Sequence, residues 1–172
     1  AIDAAADAAY QRLCTSDNGR LIYVGAGTSA RIGVQDGAEL PPTFNWPQHR
    51  ISFVIAGGEA ALLRAVENAE DSAETACTHI ADMGVAQNDV VIGLAASGST
   101  VFTTAALAAA GQAGAVTIGV ANNPDTALLD NVSYPILLAT GAEIIAGSTR
   151  LQAGTAQKIC LNLISNMIMV KM

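Results

Sequence analysis

Five short apolar runs punctuate the chain: Leu21 to Val24, Ile51 to Ala56, Val90 to Leu94, Val116 to Val120 and Val132 to Leu138. Apolar residues hold consecutive positions in them, with Ser52, Thr117 and Ser133 as isolated exceptions, which marks strands covered on both faces. The intervening stretches carry helical spacing. They predict helices from the Gly25-Ala26-Gly27-Thr28-Ser29 loop to about Leu40, from Glu59 to Met83, from Val101 to Ala110 and from Ser148 to Val170. Gly84 is a stop for the second of these, and Asn122-Asn123-Pro124-Asp125 is a turn. Pro41-Pro42 and Pro47 bracket an irregular loop over 41–50 that holds Trp46. Alternating strands and helices predict an α/β fold, a three-layer αβα sandwich around a parallel sheet with right-handed crossovers. Neither a repeat nor a linker divides the chain, so residues 1–172 read as one domain. Ligands in such folds bind beyond the carboxyl ends of the strands, where the strand order reverses.

Composition narrows this picture. Hydrophobic residues make up 51% and aromatics only 4%, so the core is built from Ala, Val, Leu and Ile. Charged residues are 13%, about half the usual ~25%. So sparse a surface charge suggests cover by a second subunit. The net charge of −7 argues against a nucleic-acid or anionic-membrane partner. The most apolar stretch, Ile159 to Val170, contains Asn162, Ser165 and Asn166 and falls short of the roughly 20 residues a bilayer requires. Residues 1–9 carry Asp3 and Asp7 where a secretion signal needs a basic start. Cys14, Cys77 and Cys160 form neither a metal pattern nor a disulfide framework. The expectation is a cytoplasmic protein without a metal or cofactor.

Two strand ends share a chemistry. Gly25-Ala26-Gly27-Thr28-Ser29 and Ser97-Gly98-Ser99-Thr100 each combine glycine with hydroxyls ahead of a helix. Glycine lets backbone N–H groups approach a ligand, and a helix start adds partial positive charge, so the pair makes an anion cradle. Each loop alone also fits a tight turn with a hydroxyl N-cap. Gly25-x-Gly27-x-x-Ala30 satisfies the dinucleotide fingerprint, but the acid expected about 20 residues on is displaced by the 41–50 loop. Among the carboxylates, Glu39 ends the first long helix. Glu67, Glu70, Asp71 and Glu74 lie at helical spacing and fit one acidic face. Arg150 and Lys158 stand on the last helix, and His49 and His79 lack partners at ligand spacing.

Long blocks resemble the N-acetylmuramic acid 6-phosphate etherase family of SIS (sugar isomerase) domains. They are Leu21 to Ser29, Ala38-Glu39-Leu40-Pro41-Pro42-Thr43-Phe44, Ala56 to Ala60, Ala65 to Asp71, Gly93 to Gly98, Gly147 to Leu151 and Ala153 to Lys158. The resemblance implies a five-stranded SIS domain in flavodoxin-like order. It implies cleavage of the D-lactyl ether of N-acetylmuramic acid 6-phosphate, by elimination across C2–C3 and then hydration. In that reading Glu39 is the general acid on the departing lactate oxygen and Glu70 the base at C2. Gly27, Thr28, Ser29, Ser97, Gly98, Ser99, Thr100 and Lys158 hold the sugar phosphate. The family also implies a homodimer with its pocket near the interface, and flanking helical segments outside this chain.

Ala30, Leu40, Ser99 and Gln152 stand where the family has Gly, Cys, Arg and Lys. The altered positions motivate an alternative, a regulator-like module that binds a sugar phosphate without turnover. An aldose–ketose sugar-phosphate isomerase would share the fold and also move a proton at C2 with a Glu.

Overall fold

The structure is a computed structural model that describes residues 1–64 and 66–172. Its centre is a five-stranded parallel sheet in the order β2-β1-β3-β4-β5. The strands are β1 (Leu21–Gly25), β2 (Ile51–Ile55), β3 (Val90–Ala95), β4 (Val116–Ala121) and β5 (Tyr134–Leu137). This is the flavodoxin-like order, and it reverses between β1 and β3. Strand residues alternate between two cores. Leu21, Tyr23, Ile92 and Leu94 face α1 (Ile2–Cys14), α2 (Gly27–Phe44) and α7 (Gln152–Lys171). Ile22, Val24, Val91 and Ala95 face α4 (Ala73–Asp82) and α5 (Val101–Gln112). Both faces being buried is why the runs read as continuously apolar. Two single turns, α3 (Ala60–Leu63) and α6 (Ala127–Asp130), complete the set.

Gly93 and Gly119 are register partners on β3 and β4. A Cβ on Gly93 would stand 2.5 Å from Leu107 Cδ1, and one on Gly119 would stand 2.7 Å from Leu128 Cδ2. Their bare backbone is what lets α5 and α6 press onto the sheet.

Three elements depart from the pattern reading. The predicted helix 59–83 is broken into α3, a 3₁₀ turn over Ala69–Asp71 and α4; Ala65 within it lies outside the described residues. Asn68 takes a left-handed φ of 60°, and Ser72 restarts the helix by accepting from the Thr75 N–H at 3.2 Å. The expected single acidic face is therefore split, with Glu67 in a turn, Glu70 and Asp71 on the 3₁₀ turn and Glu74 on α4. The 41–50 loop is shorter than expected, because α2 runs through Pro41 and Pro42 to Phe44. Proline's fixed φ suits a helix, and its missing N–H leaves the Gly37 and Ala38 carbonyls without their usual amide donors over these last turns. Asn45 closes the helix in the left-handed region, its N–H donating to Pro41 O at 2.9 Å. Helix α1 carries no sequence signal beyond alanine: its buried stripe is Ala5, Ala6, Ala9 and Leu13.

The β1–β3 pair is pinned where both strands begin. Asp89 accepts from the Arg20 backbone N–H at 2.9 Å, Arg20 Nε at 3.1 Å, Arg20 Nη2 at 2.7 Å and the Ala86 N–H at 3.0 Å. Burial alone would raise the Asp89 carboxyl. The hydrogen bonds from Arg20 and Ala86 and the Arg20 charge outweigh it and hold the group below its ordinary value. A carboxyl lowered in the folded state stabilises fully above the unfolded value of ~3.9, and that contribution is lost as pH falls through the folded value. Asp89→Asn should therefore lower stability at pH 7 by about 1–3 kcal/mol. It should also flatten the loss of stability that denaturant titration finds for the unmodified protein below about pH 4.

Candidate functional site

The two glycine–hydroxyl loops stand side by side at the carboxyl edge of the sheet, on either side of the strand-order reversal. They open into a cavity of about 250 Å³ whose wall includes Gly27, Thr28, Ser29, Ser97, Thr100 and Glu70. Gly147 and Thr149, from the segment ahead of α7, also line it. Helix α2 starts at Gly27 and α5 at Val101, and neither has an acidic residue in its first turn or a side-chain cap. Their first N–H groups and partial positive charges thus have no carboxylate cap. The N-terminus of α7 differs: Glu143 accepts from the Gln152 N–H at 3.0 Å and the Ala153 N–H at 2.9 Å. An anion fits the first two helix starts, and a protein carboxylate already occupies the third.

The hydroxyls do not all serve one purpose. Ser97 Oγ accepts from the Ser99 N–H at 3.2 Å and lies 3.4 Å from Thr100 Oγ1, which shapes the second loop. Gly98 is buried, with a φ of +71° and its N–H on Ala95 O at 3.0 Å. Gly98 and Ser99 therefore lie off the cavity wall, with their amides committed to the turn. Ser29 also departs from the expectation of a free donor. Its hydroxyl is buried and donates to Gln157 Oε1 at 2.9 Å. Gln157 Nε2 in turn donates to Asn122 Oδ1 at 2.9 Å, and Asn122 Nδ2 donates to Leu138 O at 3.2 Å. With its proton engaged inward, Ser29 offers a ligand its backbone N–H.

Glu70 and Glu39 do not meet within one chain. Glu70 is exposed on its 3₁₀ turn and faces both the cradle and an adjoining cavity of about 350 Å³. Glu39 is exposed on the last turns of α2 and lines a separate cavity of about 380 Å³ with Asp36, Lys158 and Asn162. Lys158 is thus also removed from the cradle; its Nζ donates to Asn162 Oδ1 at 2.9 Å. Asn162 Nδ2 donates to the buried Asp36 at 2.8 Å, which also accepts from Tyr23 Oη at 2.8 Å and Ser165 Oγ at 3.1 Å. Burial first, then the Asp36 charge, pushes the Tyr23 hydroxyl well above its ordinary value and the Cys160 thiol up to about 12. A further cavity of about 550 Å³ lies at the β2 edge against Val34, Phe53 and Leu62, away from both loops.

Asp36, Gln157 and Glu143 were not singled out from the sequence. The first two had a signal. Asp36 interrupts the buried stripe Gly33, Gly37 and Leu40 of α2, and Gln157 interrupts Ala153, Gly154 and Leu161 of α7. A polar residue at a core position requires a partner.

Residues 5–111 match the family model described as the glucokinase regulatory protein N-terminal SIS domain. The chain is 50% identical over 171 residues to the N-acetylmuramic acid 6-phosphate etherase of Deinococcus radiodurans, covering 99% of this chain and 55% of that protein. It is 47% identical over 169 residues to the etherase of the same name from Rubrobacter xylanophilus, covering 98% and 56%. The chain thus spans about half the length of the curated relatives it matches. Among solved structures, the sugar isomerase domain of an RpiR transcription factor from Sphaerobacter thermophilus aligns with a TM-score of 0.67 at 22% identity, covering 97% of this chain and 78% of that one. A phosphoheptose isomerase from Francisella tularensis aligns with a TM-score of 0.67 at 18% identity, covering 95% and 84%. These last two likenesses carry the fold.

Gly98 tests the cradle's shape. A Cβ there would lie 2.3 Å from Thr126 Oγ1 and 2.6 Å from Thr126 Cβ, in a left-handed backbone. Gly98→Ala should destabilise by about 1–3 kcal/mol. Calorimetry should find weaker binding of a hexose 6-phosphate, because the same loop carries Ser97 and Thr100.

Proposed function

Because the chain belongs to the SIS-domain family, on the branch whose curated relatives are named N-acetylmuramic acid 6-phosphate etherase, we propose that it cleaves the D-lactyl ether of N-acetylmuramic acid 6-phosphate. The products are N-acetylglucosamine 6-phosphate and D-lactate, and residues 1–172 act as one SIS domain. The observation that carries this reading is Glu70 on the wall of a cradle built from two uncapped helix starts. The phosphate sits on the amides of Gly27, Thr28 and Ser29 and the hydroxyls of Thr28, Ser97 and Thr100. Gly98 and Ser99 set the shape of the second loop. Glu70 takes the C2 proton, the C3–O bond breaks, and an acid protonates the lactate oxygen. Water then adds across the C2=C3 bond. The sequence is redox-neutral, so two carboxylates and water suffice.

The acid is Glu39, supplied by a second copy of the chain. Glu39 and Lys158 share the cavity between α2 and α7. Along α7, Ile159, Leu163 and Val170 are 55%, 48% and 79% exposed at helical spacing, an apolar stripe that a homodimer would cover. This interface would place the Glu39 of one protomer over the cradle of its partner, with Lys158 beside the substrate. Net charge of −7 and sparse surface charge support a sugar-phosphate ligand and a protein partner rather than nucleic acid. No described helix is long and apolar enough to cross a membrane, and the reading places the reaction in the cytoplasm.

Glu70→Gln should cut D-lactate release from N-acetylmuramic acid 6-phosphate by about 10²–10⁴-fold. Glu39→Gln should do the same. Mixing the two inactive variants and letting subunits exchange should restore about a quarter of the unmodified activity, since half of the sites in mixed dimers are intact. No recovery on mixing would overturn the shared site. Tight binding of the sugar phosphate by unmodified protein without lactate release would favour the sensor reading.

A further inference from the structure

We infer that the 350 Å³ cavity beside the cradle is a carboxylate pocket, in which Arg31 and Arg64 take the carboxylate of the lactyl ether. The inference rests on the etherase reading and assigns a specificity role within it. The cavity and the cradle share the walls Ala26, Gly27, Thr28, Glu70 and Thr149, so one ligand reaches both.

In a chain with 13% charged residues, four charged side chains line this one space: Arg31, Arg64, Glu67 and Glu70. None of the four forms an ion pair with another. Among the described residues the ion pairs are Arg20–Asp89 and Lys171–Asp7. Arg31 is half-buried and fixed in place, Nε donating to Leu62 O at 2.9 Å and Nη2 to Ala61 O at 2.8 Å. Its Nη1 makes no hydrogen bond among the described residues, and neither does the exposed Arg64 guanidinium. A guanidinium held by its own stem side offers a planar pair of N–H groups, the shape that a carboxylate accepts.

Donor shape decides between the two anions of the substrate. The diverging amides and hydroxyls of two helix starts match three phosphate oxygens, and a guanidinium fork matches the two coplanar oxygens of a carboxylate; Glu70 lines both cavities and does not discriminate. The cradle has neutral donors and two helix starts but no basic side chain on its wall. The dianion therefore belongs in the cradle and the monoanion beside the arginines. A lactyl carboxylate held there leaves the ether between the two pockets, next to Glu70. Sugar phosphates without a carboxylate gain nothing from this pocket.

The test compares two ligands by calorimetry on the same protein: N-acetylmuramic acid 6-phosphate with an inactive Glu70→Gln background, and N-acetylglucosamine 6-phosphate, which lacks the lactyl ether. Arg64→Gln should weaken the first by about 10-fold or more and leave the second within about twofold. Arg64 is exposed and its side chain holds no other element, so the fold should persist. Arg31→Lys, which keeps the charge and loses the planar fork, should act in the same direction. Equal weakening of both ligands, or of neither, would overturn the carboxylate assignment. If the Glu70→Gln protein binds neither ligand, the etherase reading itself falls, and the pocket's assignment with it.

Discussion

The parallel pairing of β1 with β3 decides where the chemistry stands. Leu21 pairs with Val90 and Gly25 with Leu94, so the two strands start at the same level and end within one residue of each other. The Arg20–Asp89 cluster fixes that register at the amino end, where Val90 N–H also donates to Arg20 O at 2.9 Å. A slip of one residue would turn both apolar sets onto the wrong faces. Because the register holds, two glycine-bearing loops leave the sheet at one height, and α2 and α5 begin as neighbours. Two helix dipoles then converge on one cavity in a molecule whose net charge is −7. The site attracts an anion by local geometry, and the overall charge opposes it only weakly across a screened distance.

Helix α7 carries the polar links that keep this edge in shape. Gln157 joins Ser29 at the start of α2 to Asn122 at the end of β4. One turn on, Asn162 bridges Lys158 to the buried Asp36. Each link also fixes the orientation of an amide. Leu138 O accepts from the Asn122 nitrogen, so the Asn122 oxygen faces Gln157, and the Gln157 oxygen faces Ser29. Asp36, an acceptor only, turns the Asn162 nitrogen inward and its oxygen toward Lys158. Buried chains of this kind are rigid because an unpaired member costs about 1–3 kcal/mol. The outcome is one helix that braces the cradle at one point and presents Lys158 beside Glu39 at another.

The sheet and both loops were legible because strands buried on two faces leave continuous apolar runs, and glycine with hydroxyls at their ends marks where a helix must start; the strand order came with the family resemblance, since apolar runs say nothing about which strands are neighbours. Helix α1 was not, since a stripe of alanines differs little from its surroundings. The break at 66–72 depends on Asn68 turning left-handed and on Ser72 capping α4, choices made by packing rather than by period. The separation of Glu39 from Glu70 was illegible for another reason. They lie in motif blocks that read as one site, but chain spacing says nothing about which face of the sheet edge each helix presents. Ser29 misled in the same way: a hydroxyl in a phosphate-type loop was already engaged by Gln157, 128 positions along the chain.

A cradle of amides and hydroxyls suits a phosphate, and apart from Glu70 its wall carries no charged side chain. Selectivity and reaction type must then come from what surrounds it. On one side stand the guanidiniums of Arg31 and Arg64 with Glu67, and Glu70 stands at the boundary. Gly147 and Thr149, also on the cradle's wall, belong to the segment that Glu143 ties to α7. Glu39 lines a separate cavity with Asp36, Lys158 and Asn162. Departures from the family at Ala30, Ser99 and Gln152 fall outside this arrangement. Ala30 is buried beneath the first loop, Ser99 lies off the cavity wall, and Gln152 contributes its backbone N–H to Glu143. Ala30, Ser99 and Gln152 are thus not among the residues that line the cradle, and Gln152 meets Glu143 through its backbone N–H alone.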